Sequence, residues 1–354
     1  MKISIDDKIK KLISAFQLPP VLGFGTVMAP IMISVDYEKG NWNKAEVIPY
    51  GPLSLYPTCK ALHYAQEIFE GLKAYKVNGE GPYIFRPEEN AKRFNISATR
   101  MAMPSMNENQ FIDLCEQFAL LCAPLIPLNS GESLYIRPFM FATEESLGIK
   151  PSEKYKFLII GSPSGAYVTG DSRSCLIERE YVRASPGGTG FAKTGGNYAR
   201  SILSSIKAKD LGLNQSLWLD SKNRRFIEEL SGMNFFAMIK GVIHTPSLSD
   251  TILKGITRDC TLEIAKKEGI KIHEGPIDIE QLIKDIKTGD CSELFACGTA
   301  AIITPIAKLC EENAISYTPK YPDAPTGLKL RKILLDIQEG KTNDPFRWRK
   351  KLIS

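Results

Sequence analysis

The sequence predicts a mixed α/β protein of two domains: a smaller N-terminal α/β domain and a larger, strand-rich C-terminal domain. The chain has 354 residues, too many for one ordinary core. Its composition, 43% hydrophobic and 24% charged, provides apolar material for two cores of a soluble globular protein. A passage rich in glycine and serine, "SPSGAYVTGDSR", has the turn residues of a connector. We therefore expect domains at 1–169 and 184–354, joined by a connector at 170–183.

The charge pattern argues against nucleic-acid and membrane partners. The net charge of +5 arises from 45 basic and 40 acidic residues that are interleaved along the chain. The one basic run, "RWRKK", is typical of a solvated tail. The N-terminal segment lacks the apolar core of a secretory signal, carries Asp6 and Asp7, and predicts a short amphipathic surface helix. No segment is long and apolar enough to span a membrane, so we expect a cytoplasmic protein.

The first half alternates helical and extended patterns. "RPEENAKRFNISATRMAMP" predicts a helix with Pro87 near its first turn, and "SLYIRPFMFA" and "YKFLIIGSP" predict strands. "SMNENQFIDLCEQFALLCAPL" predicts a helix that begins with a capping box of Ser105 and Glu108 and ends near Pro124. Its apolar residues recur at helical spacing on one face: Phe111, Leu114, Cys115, Phe118 and Cys122.

The second half is richer in strands. "SLWLD", "NFFAMIKGVIHTP" and "IKIHE" predict strands, and the apolar stretch "SELFACGTAAIITPIA" completes the second core. "ITRDCTLEIAKKEG", ending at Gly269, and "DIEQLIKDIKTG" predict the helices around them.

The cysteines and histidines do not indicate a metal site. The eight cysteines include no pair with the two-residue spacing of a zinc or redox motif, and the three histidines are far apart in sequence. Cys115 and Cys122 are typical of small buried hydrophobic residues. Acid–base chemistry at neutral pH would then need a cofactor or a tuned lysine.

The stretch "GTGFAKTGGNY" places Lys193 between two glycine clusters. A nucleotide-binding phosphate loop needs a glycine directly before the lysine and a strand feeding the loop. Here Ala192 precedes the lysine, and "RASPGG" is a poor strand end. A lysine in such a window is otherwise a surface residue, so its role depends on other stretches of the chain.

Three further windows supply the groups that pyridoxal phosphate requires. "FIEELSGMNFF" places Glu229 before a turn of small residues, and "KGITRDCTLEIA" begins a helix whose free N–H groups favour an anion. "FACGTAAIITP" adds a second small-residue turn with the hydroxyl of Thr299. A lysine amine can form a Schiff base, an acid can keep the pyridine nitrogen protonated, and the turns can bind a phosphate.

With these windows in place, the chain resembles the branched-chain amino-acid aminotransferases of the fold-type IV pyridoxal-phosphate enzymes over nearly its whole length. The matching stretches include "LGFGTV", "LHYAQEIFEGLKAY", "LYIRPFMFATEESLGI", "KTGGNYA", "EELSGMNFF", "GITRD" and "CGTA". The resemblance implies the two-domain fold-type IV architecture and the cofactor pyridoxal 5′-phosphate. It also implies ping-pong transamination of leucine, isoleucine and valine with 2-oxoglutarate.

The resemblance assigns the cofactor contacts residue by residue. Lys193 resembles the Schiff-base lysine that also shuttles the substrate proton, and Tyr198 resembles the tyrosine on the cofactor's phenolic oxygen. Glu229 matches the acid on the pyridine nitrogen, with Glu228 as the alternative one position away. The phosphate contacts would come from Arg93, Ile256, Thr257 and Thr299. From the residues alone, Arg93 is equally a solvated helix residue.

The resemblance also predicts an apolar substrate pocket. Its wall would consist of Phe24, Tyr64, Phe69, Tyr135, Ile149 and Tyr167. The N–H of Ala300 would face the α-carboxylate, and Arg137 resembles the residue that accepts the side-chain carboxylate of glutamate. For the aromatic residues core packing is the alternative, whereas an arginine in an apolar strand is costly without an anionic partner.

The family pattern further implies a homodimer, or a higher oligomer built from it, in which Tyr64 and Ile149 lie in the segments that cross between subunits. The sequence departs from many relatives at Ser231 and Gly232, where glycine and then threonine are common. Two rival enzymes are a D-amino-acid aminotransferase and an aminodeoxychorismate lyase. A nucleotide-binding protein is the rival from another class.

Overall fold

The computed structural model describes residues 3, 5–77, 79–166 and 173–353. The chain forms two compact units. Unit 1 consists of Met1–Tyr167, Ala192–Gly195 and Asp336–Ser354, and unit 2 consists of Val168–Phe191 and Gly196–Leu335.

The strands are numbered in chain order. They are β1 (Ile31–Glu38), β2 (Asn41–Trp42), β3 (Glu46–Pro49), β4 (Glu67–Phe69), β5 (Leu72–Val77), β6 (Glu80–Phe85), β7 (Ser133–Ala142), β8 (Tyr155–Ser164), β9 (Arg173–Glu178), β10 (Gln215–Leu219), β11 (Ile227–Leu230), β12 (Asn234–Ile239), β13 (Val242–Thr245), β14 (Lys271–Glu274), β15 (Cys291–Gly298), β16 (Ile302–Cys310), β17 (Ser316–Tyr317) and β18 (Arg349–Lys351).

The helices are α1 (Asp7–Ala15), α2 (Lys60–Tyr64), α3 (Pro87–Arg100), α4 (Glu108–Leu121), α5 (Gly195–Ala199), α6 (Ile202–Asp210), α7 (Ile256–Lys267), α8 (Ile279–Thr288) and α9 (Pro325–Gln338). None of them, within the described residues, is both long and apolar enough to cross a membrane.

In unit 1, the described residues form a nine-stranded sheet in the order β18-β6-β5-β7-β8-β1-β2, with β3 on β1 and β4 on β7. Every pairing in it is antiparallel. One core packs α1, α3 and α4 against this sheet through residues such as Ile9, Phe94 and Phe118. Side chains alternate across a strand, so the opposite face of β4 and β7 is left for other contacts.

Helix α4 shows why one local prediction was wrong. All five residues of the predicted apolar face are buried. The capping box of Ser105 and Glu108 does not form, because Asn107 is the N-cap and its side chain accepts hydrogen bonds from the N–H groups of Asn109 and Gln110. An asparagine two residues after the serine satisfies the same orphan donors, so the helix begins later.

In unit 2, the described residues form a second nine-stranded sheet in the order β11-β10-β9-β16-β15-β12-β13-β14, with β17 on β16. An additional pairing of β11 with β12, at Glu229 and Asn234, closes six of these strands into a ring. Its core includes Phe235, Leu294 and the apolar face of α8, which begins at the N-cap Asp278.

One stretch that the sequence predicts as extended and one that it describes only as apolar are both pairs of strands. "NFFAMIKGVIHTP" forms β12 and β13, which are joined by a tight turn at Lys240 and Gly241 with φ of 49° and 75°. The apolar stretch after Gly289 forms β15 and β16 with the turn that follows Gly298. The first hairpin has left-handed residues at its two-residue turn, as such a connection requires, and the second has small residues in its three-residue turn.

The units differ from the division predicted from the sequence at two places. Ala192–Gly195 and Asp336–Ser354 belong to unit 1. The first segment bonds to β4 and α3, and the second contains β18, which pairs with β6. The boundaries predicted for independently folding domains, 1–169 and 184–354, stay a prediction.

Candidate active site

In unit 1, the backbone on both sides of Lys193 is fixed by hydrogen bonds. The Lys193 carbonyl accepts from Phe69 N at 3.0 Å, and the Lys193 N–H donates to Ser97 Oγ at 2.8 Å. The hydroxyl of Thr194 donates to the carbonyl of Glu67 at 2.7 Å. Lys193 lies in a loop, but these hydrogen bonds to β4 and α3 fix the position of its backbone.

The Lys193 amine lies over one face of the unit 1 sheet. Its Nζ is 4.8 Å from the centroid of the Phe69 ring. The Arg137 guanidinium stacks on the same ring at 4.6 Å and on the Tyr135 ring at 5.3 Å. Because β4 and β7 pair with Phe69 opposite Phe139, the odd-numbered side chains of both strands share this face. It combines an amine, a guanidinium and aromatic rings.

Arg137 is held by more than stacking. Its Nη2 donates to Tyr135 Oη at 2.8 Å, whereas its buried Nε has no hydrogen-bond partner in the described residues. Phe24 packs edge-on against Tyr135 with ring centroids 4.8 Å apart. The structure thus gathers Phe24, Phe69, Tyr135 and Arg137 of the predicted substrate residues.

Two other predicted substrate residues are not part of this group. Ile149 is 91% exposed and Tyr64 is 41% exposed, and the Tyr64 hydroxyl donates to the Leu147 carbonyl. Tyr167 lies outside the described residues.

Arg93 is not a solvated helix residue. It is buried, and its Nε and Nη2 donate to the two carboxylate oxygens of Glu70, each at 2.7 Å. Glu70 is fully buried and also accepts from Asn90 Nδ2 at 2.7 Å. A bidentate pair of this kind fixes the plane and direction of the guanidinium. The sequence analysis did not identify Glu70. An acidic residue between Phe69 and Gly71, in an apolar stretch, nevertheless indicates a buried carboxylate that needs a partner.

Glu67 is a second carboxylate that sequence reasoning missed. It accepts a hydrogen bond from the backbone N–H of Gly195, two residues after Lys193. Burial raises the pKa of the Glu67 carboxyl, while this hydrogen bond and the positive charge of Arg137 partly offset the rise. Its charge is therefore coupled to that of Arg137.

In unit 2, the Glu229 carboxylate is buried and surrounded by donors. Oε1 lies 2.8 Å from Arg183 Nη2, and Oε2 accepts from Asn234 Nδ2 at 3.0 Å. The N–H of Leu253 donates to the same Oε2 at 3.3 Å. These donors favour the ionised carboxylate.

Glu228 occupies a different environment although it is adjacent. Burial raises the pKa of its carboxyl to about 7, and a hydrogen bond with Thr251 and the charge of Arg183 oppose the rise. Its Oε2 is buried without a hydrogen-bond partner among the described residues. The two adjacent acids thus have different surroundings, and the donors around the Glu229 carboxylate favour Glu229 over Glu228 as the partner of a positively charged group.

Backbone turns near Glu229 provide sites for an anion. Helix α7 begins at Ile256 after the N-cap Gly255, and no side chain caps this end, so the N–H groups of Ile256 and Thr257 lack a side-chain acceptor there. A Cβ at Gly255 would collide with Asn234 Oδ1, so the helix start is packed against that residue.

A second turn, at Thr299 and Ala300, follows β15. A Cβ at Gly298 would lie 3.2 Å from the Gly232 carbonyl, so this turn is adjacent to the one after Glu229. Tyr198 is half-buried on the short helix α5. Within unit 2, the structure therefore brings Glu229, the start of α7 and the turn after β15 close together.

Comparisons with known proteins agree with this arrangement. Residues 67–309 match the family model described as amino-transferase class IV. The "Branched-chain-amino-acid aminotransferase" of Mycolicibacterium smegmatis is 43% identical over 339 residues, which cover 93% of this chain and 92% of the relative.

Two solved structures of branched-chain amino acid aminotransferases share the fold. The enzyme from Escherichia coli is 25% identical, with a TM-score of 0.74, and the match covers 91% of this chain and 99% of that chain. The T.th. enzyme with pyridoxamine 5′-phosphate is 26% identical, with a TM-score of 0.75, and the match covers 90% of this chain and 98% of that chain.

The chain therefore belongs to the class IV aminotransferases, enzymes that use pyridoxal 5′-phosphate. Within that family it falls among the branched-chain-amino-acid aminotransferases of fold type IV. The family, the fold class and the cofactor predicted from the sequence are confirmed.

The chemistry of the side chains fits this cofactor. Glu229 provides a buried carboxylate for a protonated ring nitrogen, and the start of α7 provides N–H groups for a phosphate. Lys193 provides an amine on a fixed backbone. The residues that the sequence missed, namely Glu67, Glu70, Arg183 and Asn234, orient or neighbour these groups.

Proposed function

We propose that this chain transaminates leucine, isoleucine and valine with 2-oxoglutarate, giving branched-chain 2-oxo acids and glutamate by a ping-pong mechanism. The observation that carries the proposal is the Lys193 amine over the Phe69 ring, on a sheet face that also presents Arg137 and Tyr135. Aromatic rings suit a branched alkyl group, and a guanidinium suits a carboxylate. The name of the curated relative supports the same substrate class.

When bound, pyridoxal 5′-phosphate supplies a ring that accepts electrons from the substrate α-carbon. We assign the attachment point to the Lys193 amine, the contact with the pyridine nitrogen to Glu229, and the hydrogen bond to the phenolic oxygen to Tyr198. The phosphate contacts are assigned to Arg93, to the N–H groups of Ile256 and Thr257, and to the Thr299 hydroxyl. The ion pair with Glu70 supports the role of Arg93, because it aims the guanidinium.

In one half-reaction, Nζ of Lys193 would move the proton from the substrate α-carbon to the cofactor, and in the other half-reaction it would move a proton in the opposite direction. The backbone bonds to Ser97 and Phe69 restrict the movement of this amine to its own side chain. A general base must stay within hydrogen-bond reach of the proton that it transfers. The fixed loop therefore positions the amine, and the flexible lysine side chain allows it to transfer the proton.

The substrate side chain would contact the predicted apolar wall of Phe24, Tyr64, Phe69, Tyr135, Ile149 and Tyr167. The α-carboxylate would accept a hydrogen bond from the N–H of Ala300. When glutamate or 2-oxoglutarate is bound, its side-chain carboxylate would face Arg137. The incomplete hydrogen bonding of that guanidinium supports this role.

We also propose a homodimer, or a higher oligomer that contains it. The exposure of two large side chains predicted to lie in the site, Ile149 at 91% and Tyr64 at 41%, supports this assembly. Large apolar side chains that are exposed together are common at interfaces.

A panel of amino donors with 2-oxoglutarate as acceptor tests the proposed reaction. L-leucine, L-isoleucine and L-valine are expected to react with kcat/KM at least about tenfold above those of L-aspartate and L-alanine, since each buried methylene of a substrate contributes about this factor. The Lys193→Ala variant is the negative control. A preference for D-amino acids would contradict the proposal and support the D-amino-acid aminotransferase alternative.

A further inference from the structure

Glu67 lies on the same sheet face as the groups that would contact the substrate. Glu67 and Phe69 are two residues apart on β4, and Tyr135 and Arg137 are two residues apart on the neighbouring β7. The register of these antiparallel strands puts all four side chains on one face. A carboxylate is thus built into a surface that is otherwise aromatic and cationic.

The Glu67 carboxylate is held in place by the loop that carries Lys193. Its Oε1 accepts from the N–H of Gly195, and its own carbonyl accepts from the Thr194 hydroxyl. A Cβ at Gly195 would collide with that Oε1, so the carboxylate packs directly against the Gly195 backbone. This backbone hydrogen bond needs only an acceptor oxygen, which a neutral amide would provide equally well. The negative charge is therefore not required for the local structure.

The charge of Glu67 acts on Arg137 without forming a direct salt bridge. Among the described residues, no carboxylate lies within 4.0 Å of the Arg137 guanidinium, whose Nη2 donates to Tyr135 and whose Nε has no partner. Burial raises the pKa of the Glu67 carboxyl, and the positive charge of Arg137 opposes that rise. Such coupling is reciprocal: the free energy of interaction between the two charges is the same for both groups. The ionised Glu67 therefore makes the electrostatic potential at Arg137 less positive.

We propose that Glu67 is a specificity-determining residue that weakens the binding of side-chain carboxylates at Arg137 and leaves the binding of branched alkyl side chains unchanged. This inference rests on the proposed function, in which both kinds of side chain occupy one pocket. A second carboxylate would be repelled by Glu67, whereas an alkyl group carries no charge for it to act on. The residue would thereby shift the selectivity of the pocket toward leucine-like substrates.

Calorimetric titration of the holoenzyme with two inert acids tests the proposal. Glutarate carries a second carboxylate, and 4-methylpentanoate carries a branched alkyl group of similar length. In the Glu67→Gln variant the dissociation constant of glutarate is expected to fall by about three- to tenfold, the range for one partly screened unit charge. That of 4-methylpentanoate is expected to change by less than about twofold.

Two variants control the measurement. Glu38→Gln removes the same charge from the exposed end of β1 and is expected to leave both constants unchanged. Glu67→Asp keeps the charge and is expected to retain wild-type selectivity. If Glu67→Gln does not fold, as judged by circular dichroism, Glu67→Ala replaces it under the same criterion.

An unchanged ratio of the two constants in a folded variant that binds both acids would overturn the role of Glu67 while leaving the proposed function intact. Failure of the wild-type holoenzyme to bind either acid would overturn both proposals.

Discussion

The Arg183 guanidinium lies 2.8 Å from Oε1 of Glu229, and both residues are 4% exposed. Nη2 of Arg183 also donates to the carbonyls of Gly190 and Thr251. The arginine therefore ties the carboxylate to two loops of unit 2. The positive charge of this arginine favours the ionised form of the carboxylate, which is the form that a protonated pyridine nitrogen requires.

Replacing Glu229 by glutamine should separate the electronic role of the carboxylate from its structural role. Glu229→Gln keeps a hydrogen-bonding side chain but removes the charge opposite the ring nitrogen. We expect turnover to fall by about a hundredfold or more, the usual cost of losing one electrostatic contact to a reacting group. Covalent attachment of the cofactor to lysine, read from its absorbance, is expected to persist.

The matched control is Glu228→Gln. This variant should retain turnover within about threefold, because the neighbouring acid is not assigned to the cofactor. If Glu228→Gln were the damaging change and Glu229→Gln were mild, the assignment would be wrong by one position.

Glu228 should also make stability depend on pH. Its pKa is raised to about 7 in the folded protein, so the folded state holds a proton that the unfolded chain releases near its ordinary value of about 4.5. The stabilising contribution is complete below that ordinary value and is lost as pH rises through about 7. Above pH 7, Glu228→Gln is expected to be more stable than the wild type by about 2 to 3 kcal/mol.

Urea unfolding of both proteins at about pH 5 and pH 8.5 measures this difference. The gap between variant and wild type should be larger at the higher pH. A gap of equal size at both values would show that the Glu228 carboxyl is not protonated in the folded state.

Arg137 should matter for one half-reaction more than for the other. Removing the guanidinium by Arg137→Met leaves the side-chain carboxylate of glutamate or 2-oxoglutarate without a partner, at a cost of several kcal/mol. The half-reaction with leucine makes no use of that charge. Single-turnover kinetics of each half-reaction should therefore show a loss with glutamate at least about a hundredfold greater than with leucine.

Equal losses in the two half-reactions would indicate that Arg137 is structural. Arg137 stacks on Phe69 and donates a hydrogen bond to Tyr135, so its removal can also disturb the packing of these two residues. Methionine preserves much of the apolar contact made by the aliphatic part of the arginine side chain, which limits this disturbance of the packing.

The proposed dimer should be required for activity. Light scattering of the active enzyme is expected to give a mass of two chains or a multiple of it. Ile149→Asp places a charge at a 91% exposed position, which an isolated chain would tolerate and a buried interface would not. Loss of the dimer together with loss of activity supports the assembly, and a fully active monomer would contradict it.

Local patterns predicted much of the fold because they depend on neighbouring residues. The strand predicted at 133–142 is β7, and α3 begins at Pro87 as expected. The start of α4 was wrong because two capping solutions compete within three residues, and the side chain of Asn107 forms the cap. Family motifs predicted Lys193, Glu229 and Arg93, but not the residues that orient them.

Those supporting residues depend on contacts between distant parts of the chain. Glu70 bonds to Arg93 across 23 positions, and Glu67 bonds to Gly195 across 128 positions. No periodicity links such pairs, and each acid on its own is compatible with a solvated strand end. Only the antiparallel register of β4 and β7 shows that Glu67 shares a face with Arg137.

The central claim is that Lys193 carries the cofactor, and reduction with borohydride tests it most directly. Borohydride makes the bond between a lysine amine and the cofactor permanent, so peptide mapping locates it. The label is expected on the peptide that contains Lys193, and Lys193→Ala is expected to bind the cofactor without attachment and without transaminating. A label on any other lysine, or a Lys193→Ala variant that still transaminates, would contradict the account.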